Sequence, residues 1–209
     1  MCSFSDPELL SQYTITFDSN TQILKLHDRV TKEQLLGPMD FSTISGRQEF
    51  ANYFSKQIYN IPLHCVTAAT NKNHQFGNTS SNWKKNRDTR TVHIINSSTV
   101  RELSNSIGID LNPTRFRPNI IIDGPDPWSE WDWIDKCIQF GSSSVQLEVI
   151  SKTVRCDGVS VDPLEYPNNV LDIPALMMKH FPEEGPYLGV YAIVKKGGTI
   201  TLGDDIKLL

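Results

Sequence analysis

Several familiar signatures are missing from this sequence of 209 residues. No apolar run approaches the ~18 residues of a bilayer-spanning helix, so no membrane span is expected. The opening MCSFSDPELLSQ has neither a basic n-region nor an apolar h-region, so no secretory leader is expected and a cytoplasmic setting is the default. Cysteine is scarce: Cys2, Cys65, Cys137 and Cys156 form no C-x-x-C pair, which argues against a zinc ribbon or a thioredoxin-type site. Reduced thiols are expected, each reading first as a small buried apolar group. The five histidines (His27, His64, His74, His93, His180) form no H-E-x-x-H. His64 and Cys65 would point to opposite faces of a strand and make a poor half of a metal site. Walker, G-x-G-x-x-G and G-x-S-x-G motifs are absent, so nothing supports a flavin, a nicotinamide or an α/β-hydrolase nucleophile. No internal repeat is evident. Charge of one sign is lacking too: 24 acids against 20 bases leave −4, with no overall pull toward nucleic acid.

What is present is an ordinary composition, 38% apolar, enough for one domain with a core or one domain and a small appendage. Residues 13–27 read as a hairpin, with YTITF and ILKLH alternating about a turn at Asp18-Ser19-Asn20. Residues 45–58 read as a helix, with Ser45 and Gln48 at capping-box spacing and Phe50, Phe54 and Ile58 on one stripe. IPLHCVTAA follows as a buried strand. Residues 70–90 break the pattern, with Phe76 and Trp83 the only large apolar residues and five bases against Asp88. Such a stretch reads as a solvated loop or a functional lid. VHII restores a strand and leads into a short helix. Its capping-box pair is Thr99 and Glu102, its stripe is Val100, Leu103 and Ile107, and Gly108 provides the stop. RFRPNIIID, a piece around Trp133 to Phe140, and VQLEVIS read as extended. Asp172 caps a helix that has Pro174 in its first turn and carries Leu176, Met177 and Phe181. YLGVYAIV, TITL and IKLL close the chain as strands. Short, irregularly spaced strands with few helices predict a mainly β fold with short helices, a closed or Greek-key barrel.

Three clusters carry possible chemistry. In Arg115-Phe116-Arg117-Pro118-Asn119 the residue before proline is expected to be extended. On a strand Arg115, Arg117 and Asn119 would then share a face, suited either to an anionic ligand or to surface salt bridges. The stretch Pro125 to Trp133 holds three tryptophans and three acids. Its aromatics read as anchors, and Asp126, between two prolines, as a candidate proton donor or acceptor. In Lys152-Thr153-Val154-Arg155-Cys156-Asp157, a lowered thiol pKa would need nearby positive charge. Arg155 is expected to face away from Cys156, and Lys152 to share its face at some distance.

In this order the pieces resemble the MOSC domain family, named from the C-terminal part of molybdenum-cofactor sulfurases. The resemblance runs from about Val92 to Leu209. It rests on Asn96 to Val100, Phe116-Arg117-Pro118-Asn119, Asp123-Gly124, and Glu130 to Trp133. It continues through Arg155-Cys156 with Val161-Asp162-Pro163, Gly189-Val190-Tyr191-Ala192, and Gly203-Asp204. It implies a β-barrel with flanking helices over residues 92–209, preceded by a shortened N-terminal β segment over 1–91.

By the same resemblance the cofactor is molybdenum cofactor (molybdopterin), with the Cys156 thiolate on the metal and Asp126 beside it. Arg117, Asn119, Thr99 and Tyr191 are implied as cofactor-binding residues. The implied activity is reduction of N-hydroxylated small-molecule substrates, with external electron-transfer proteins as partners, or sulfur transfer. A non-redox sulfur or cofactor carrier using Cys156, and a degenerate structural or interaction domain, are the alternatives. The Tyr-Pro-x-Lys-Ser motif of the YcbX-like N-terminal domain is absent here, and Asp28-Arg29 lies in a different local context from the family's Asp-Arg. Thr153 stands where relatives often carry the first cysteine of Cys-x-Arg-Cys. The basic residues Lys84, Lys85 and Arg87 are expected to attract an anionic cofactor.

Overall fold

A computed structural model describes residues 10–65, 91–141, 145–162, 164–165 and 170–209. The 70–90 loop, Cys2, His74 and the second part (66–69) of the strand expected over 61–69 lie outside these residues; residues 61–65 themselves are not a strand.

The first sheet is an antiparallel meander of β1 (Tyr13–Asp18), β2 (Ile23–Asp28) and β3 (Gln34–Asp40). The expected hairpin is present. The Asp18 carboxylate closes its turn, accepting from the Asn20 N–H at 2.8 Å and the Thr21 hydroxyl at 2.8 Å. β3 escapes a sequence reading because Gly37-Pro38 sits inside it; proline is tolerated there because β3 is an edge strand. Helix α1 (Ile44–Phe54) packs on this sheet through Ala51 and Phe54. Phe54 also joins an aromatic cluster with Tyr13, Tyr53 and Phe50. Its cap is Thr43 rather than Ser45: the Thr43 hydroxyl accepts from Gly46 N–H at 3.0 Å and donates to the Asp40 carbonyl. The α-helix ends at Phe54, and a wider turn over Ser55–Tyr59 takes up the rest of the expected span.

The second sheet has six strands in the order β5-β4-β8-β7-β6-β9. These are β4 (Thr91–Asn96), β5 (Ile120–Ile122), β6 (Cys137–Phe140), β7 (Val145–Val154), β8 (Tyr187–Lys196) and β9 (Ile206–Leu208). Ile122 from one edge packs in the same cluster as Phe140 of β6 and Ile206 from the other edge, so the sheet curls around its own apolar face. The barrel expectation is met as a curled half-barrel with β5 and β9 as edges. TITL is not a strand; residues 199–202 lead into a turn in which the Thr201 N–H donates to Asp204 at 2.9 Å.

Two helices, α2 (Ser97–Ile107) and α3 (Ile173–His180), cover the opposite face with Val100, Leu103, Ile173 and Met177. Asn96, not Thr99, caps α2: its Oδ1 accepts from the Ser98 N–H at 3.0 Å, because the chain enters the helix directly from the end of β4. Gly108, in the left-handed conformation, ends α2 as its position suggests. Asp172 caps α3 as expected, accepting from the Ala175 N–H at 3.0 Å.

The bulge in β8 requires glycine. Gly189 has φ of +76°, and a Cβ there would lie 2.6 Å from both the Ile94 carbonyl and Ile95 Cδ1. Gly189→Ala is therefore expected to lower stability by about 3 kcal/mol or more, read as a drop in the urea midpoint. An unchanged midpoint would contradict this account of the bulge.

Candidate functional site

The middle strands of the second sheet set out a row of polar side chains. Tyr191 on β8 pairs with His93 on β4 and with Ser151 on β7. The His93 and Tyr191 rings lie 5.3 Å apart. Asn119, just before β5, clamps the His93 backbone from both sides. Its N–H donates to the His93 carbonyl at 2.9 Å, and its Oδ1 accepts from the His93 N–H at 2.8 Å.

Beyond the end of β7 the alternation of side chains stops, because Cys156 opens a 3₁₀ turn over Asp157–Val159. Cys156 is exposed, whereas Arg155 folds inward and is only 9% exposed. Arg155 Nη2 donates to the Phe116 carbonyl at 2.8 Å. Its Nη1 donates to His93 Nε2 at 3.1 Å and, more weakly, to the Leu188 carbonyl at 3.4 Å. Its Nε is buried without a partner. Among the described residues no carboxylate lies within ion-pair distance of it. Burial pulls its pKa down to about 10, while Tyr191 and Cys156 act to raise it and Arg117 to lower it. The expectation that Lys152 is the cation sharing the Cys156 face is replaced. Its Nζ sits 3.2 Å over the Trp131 ring, and the charge that reaches Cys156 belongs to Arg155 and Arg117.

The Arg115–Asn119 stretch also departs from expectation. A 3₁₀ turn forms over Pro113–Phe116, capped by Asn112, and Arg117 takes φ of +52° despite the following proline. Hydrogen bonds from Arg117 Nη1 to the Arg115 and Gly158 carbonyls hold this conformation. Arg115 and Arg117 therefore do not share a face. Arg115 is fully buried, donating to the Val159 and Ser160 carbonyls at 3.2 and 2.7 Å, with Asp162 3.7 Å away. It staples the turn that carries Cys156 to the core, while Arg117 remains exposed beside that turn.

The acidic, tryptophan-rich loop is anchored by Glu130, which is fully buried. Burial raises its pKa, opposed by hydrogen bonds from its own backbone, Asn96, Thr99 and the Gly189 N–H. Asn96 Nδ2 also donates to the Asp126 carbonyl at 2.9 Å. Thr99 is completely buried, donating to Glu130 at 2.8 Å and accepting from the Trp128 N–H at 2.8 Å. Its hydroxyl is thus taken up in fixing this loop. Asp126 is exposed on the loop, and among the described residues no hydrogen bond or ion pair joins it to the Cys156 cluster.

The structure therefore gathers Cys156, Arg117, Asn119 and Tyr191 around the His93–Arg155 pair, and sets Thr99 and Asp126 apart. His93 gave no signal in the sequence, since a single histidine in VHII looks like any strand residue. Among the described residues no group of three or more His, Cys, Asp or Glu could hold a metal, and Cys65, Cys137 and Cys156 are free thiols. Also among the described residues, no helix is long and apolar enough to cross a membrane.

A strand-rich half-barrel with an exposed cysteine beside a buried arginine defines a class, and comparison with known proteins identifies it. The MOSC domain profile matches residues 71–207, well over half the chain. The chain belongs to the MOSC domain family. Human mitochondrial amidoxime-reducing component 1 is 28% identical over 134 residues, covering 58% of this chain and 38% of that protein. The molybdenum cofactor sulfurase of Caenorhabditis briggsae is 33% identical over 73 residues, covering 34% of this chain and 10% of that protein. This chain thus spans well under half the length of these relatives. The crystal structure of YiiM from Geobacillus stearothermophilus aligns with a TM-score of 0.43 at 15% identity, covering 56% of this chain and 53% of that one.

The environment of His93 predicts a pH dependence. Burial first, then the Arg155 charge, lowers its pKa from 6.5 to about 3, opposed by the Arg117 carbonyl. Between these values the unfolded chain binds a proton that the folded one refuses, so stability falls as pH drops below 6.5. By pH 5 the loss from this group reaches about 2 kcal/mol relative to pH 8. Urea unfolding of the wild type and His93→Gln at pH 8 and pH 5 checks this. The variant is expected to lose correspondingly less stability, and parallel losses would contradict the assignment.

Proposed function

We propose that this chain binds molybdenum cofactor, with the Cys156 thiolate as the protein's ligand to the metal. The observation that carries this reading is the buried Arg155 guanidinium, which has an unpartnered Nε, an exposed thiol on the next residue and, among the described residues, no carboxylate within ion-pair distance. A buried cation without a counter-charge suits a site that receives an anionic group. A thiolate is a soft donor suited to molybdenum, and Arg117 and Asn119 offer donors suited to phosphate oxygens. Tyr191, half-buried and within electrostatic reach of Arg155 and Cys156, would line the bound pterin. The name of one relative, a molybdenum cofactor sulfurase, points to the same cofactor.

When bound, the cofactor would supply a two-electron centre. In this reading the chain reduces N-hydroxylated small molecules, with electrons from an external protein, because the sequence carries no flavin or nicotinamide motif of its own. Asp126 would carry a proton, its carboxylate exposed on the loop that Glu130 holds down. The Cys156 loop is fixed independently of the cofactor by Arg115 and Arg117, so the thiol is presented before binding. A second reading, a carrier of sulfur or of the cofactor itself, draws on the same exposed thiol and on the likeness to the sulfurase.

The test is the molybdenum and pterin content of protein purified from a molybdenum-competent host. About one molybdenum per wild-type chain is expected, with at least a tenfold loss in Cys156→Ala. Sulfane sulfur without molybdenum would favour the carrier reading. Equal molybdenum in wild type and variant would overturn the assignment of Cys156.

A further inference from the structure

We propose that the Cys156 site selects anionic over neutral ligands and that His93 is the positioning residue for this selectivity, holding in place the buried guanidinium of Arg155, the residue next to Cys156 in the chain. This rests on the reading of Cys156 as a site for an anionic group, but it concerns this chain's own residues and is tested without the cofactor.

The argument begins with donors and acceptors. A guanidinium only donates, so the Arg155 Nη1 to His93 Nε2 contact of 3.1 Å requires a bare lone pair on Nε2. The imidazole proton is thereby placed on Nδ1, which faces the Arg117 carbonyl at 3.4 Å. One neutral ring thus accepts from Arg155 and reaches the backbone of Arg117, tying together two residues that interact electrostatically with Cys156. Its own freedom is small. Asn119 pins the His93 backbone on both sides, Tyr191 lies against the ring, and Gly189 leaves the room it occupies. A Cβ on Gly189 would come within 3.1 Å of His93 Nε2.

The rest of the Arg155 environment explains why this acceptor matters. Apart from His93, its recorded acceptors are the Phe116 and Leu188 carbonyls, the second at 3.4 Å. Among the described residues, the ionisable groups that act on it are Arg117, Tyr191 and Cys156, none of them a carboxylate. His93 therefore lets a cation remain buried without neutralising it. An acid in the same place would cancel the charge. A phenylalanine would leave an N–H without an acceptor and free the guanidinium to leave. Carbonyl acceptors with a neutral imidazole leave the full positive charge for whatever is held at Cys156.

The experiment uses the intact protein and two alkylating probes of similar size, iodoacetate and iodoacetamide. The rate of each at Cys156 is followed by peptide mass spectrometry, with Cys65 and Cys137 as internal references. Both probes react with the thiolate, so their rate ratio reports the local field and is insensitive to how much thiolate is present. The wild type is expected to favour iodoacetate at Cys156 by about 3- to 10-fold relative to the reference cysteines. Arg155→Met is expected to abolish this preference and His93→Phe to remove most of it. His93→Gln, whose amide can still accept from Arg155, is expected to restore it.

A preference that survives in folded His93→Phe would overturn the proposal, as would a wild type with no preference. If His93→Phe does not fold, nitrogen NMR of the wild type decides. A proton on His93 Nδ1 and a bare Nε2 at pH 6 supports the proposal, and a proton on Nε2 refutes it. Loss of molybdenum binding with the anion preference intact would count against the cofactor reading alone.

Discussion

A guanidinium buried just past the end of β7, with no acid in ion-pair contact among the described residues, is the constraint around which the rest of this site is arranged. Burying such a charge costs several kcal/mol unless its donors are satisfied. Here the two Nη groups are taken up by carbonyls of Phe116 and Leu188 and by a neutral imidazole, which bind the group without cancelling it, while Nε is left without a partner. Most buried cations are instead paired with carboxylates, as Arg115 is with Asp162 in the same protein. The contrast separates two roles within one short region. Arg115 holds the structure together, and Arg155 keeps a charge available.

The fold serves that arrangement in two places. Arg115 and Arg117 bind the carbonyls of Gly158, Val159 and Ser160, so the turn that presents Cys156 is fixed from below. At the end of β4, Glu130 gathers Asn96, Thr99 and the bulged Gly189 N–H, and so seats the tryptophan-rich loop against the sheet. The bulge at Gly189 contributes to both places: its N–H serves Glu130, and its missing side chain makes room for His93. A single glycine therefore couples the loop that carries Asp126 to the His93–Arg155 pair.

VQLEVIS is legible because period-2 burial leaves its mark on the sequence itself, and YLGVYAIV as a continuous apolar run. The cap of α3 was legible because Asp172 and Pro174 act locally. Misreadings came where a nearby competitor won. Thr43 displaced Ser45 and Asn96 displaced Thr99, since each stands earlier in the chain and reaches the open N–H groups first. The extended reading of Arg117 failed because its own side chain, bonded to distant carbonyls, outweighs a local proline preference. Arg117, Asn119 and Cys156 stand out in the sequence as a run of donors and a thiol in a basic stretch, whereas Tyr191 enters only through the family resemblance. His93 was invisible, because its role depends on contacts with Asn119 and Arg155, 26 and 62 residues away.

The central claim is that Arg155 carries a charge that the protein leaves uncompensated until an anion arrives at Cys156. The most direct measurement supplies that anion covalently and reads stability. Protein whose Cys156 bears a carboxymethyl group is compared with protein whose Cys156 bears a carboxamidomethyl group of nearly the same shape. The account predicts a higher Tm for the carboxymethyl form, by about 2–5 °C, and no such difference in Arg155→Met. Equal Tm values for the two wild-type forms, or a lower one for the carboxymethyl form, would contradict it.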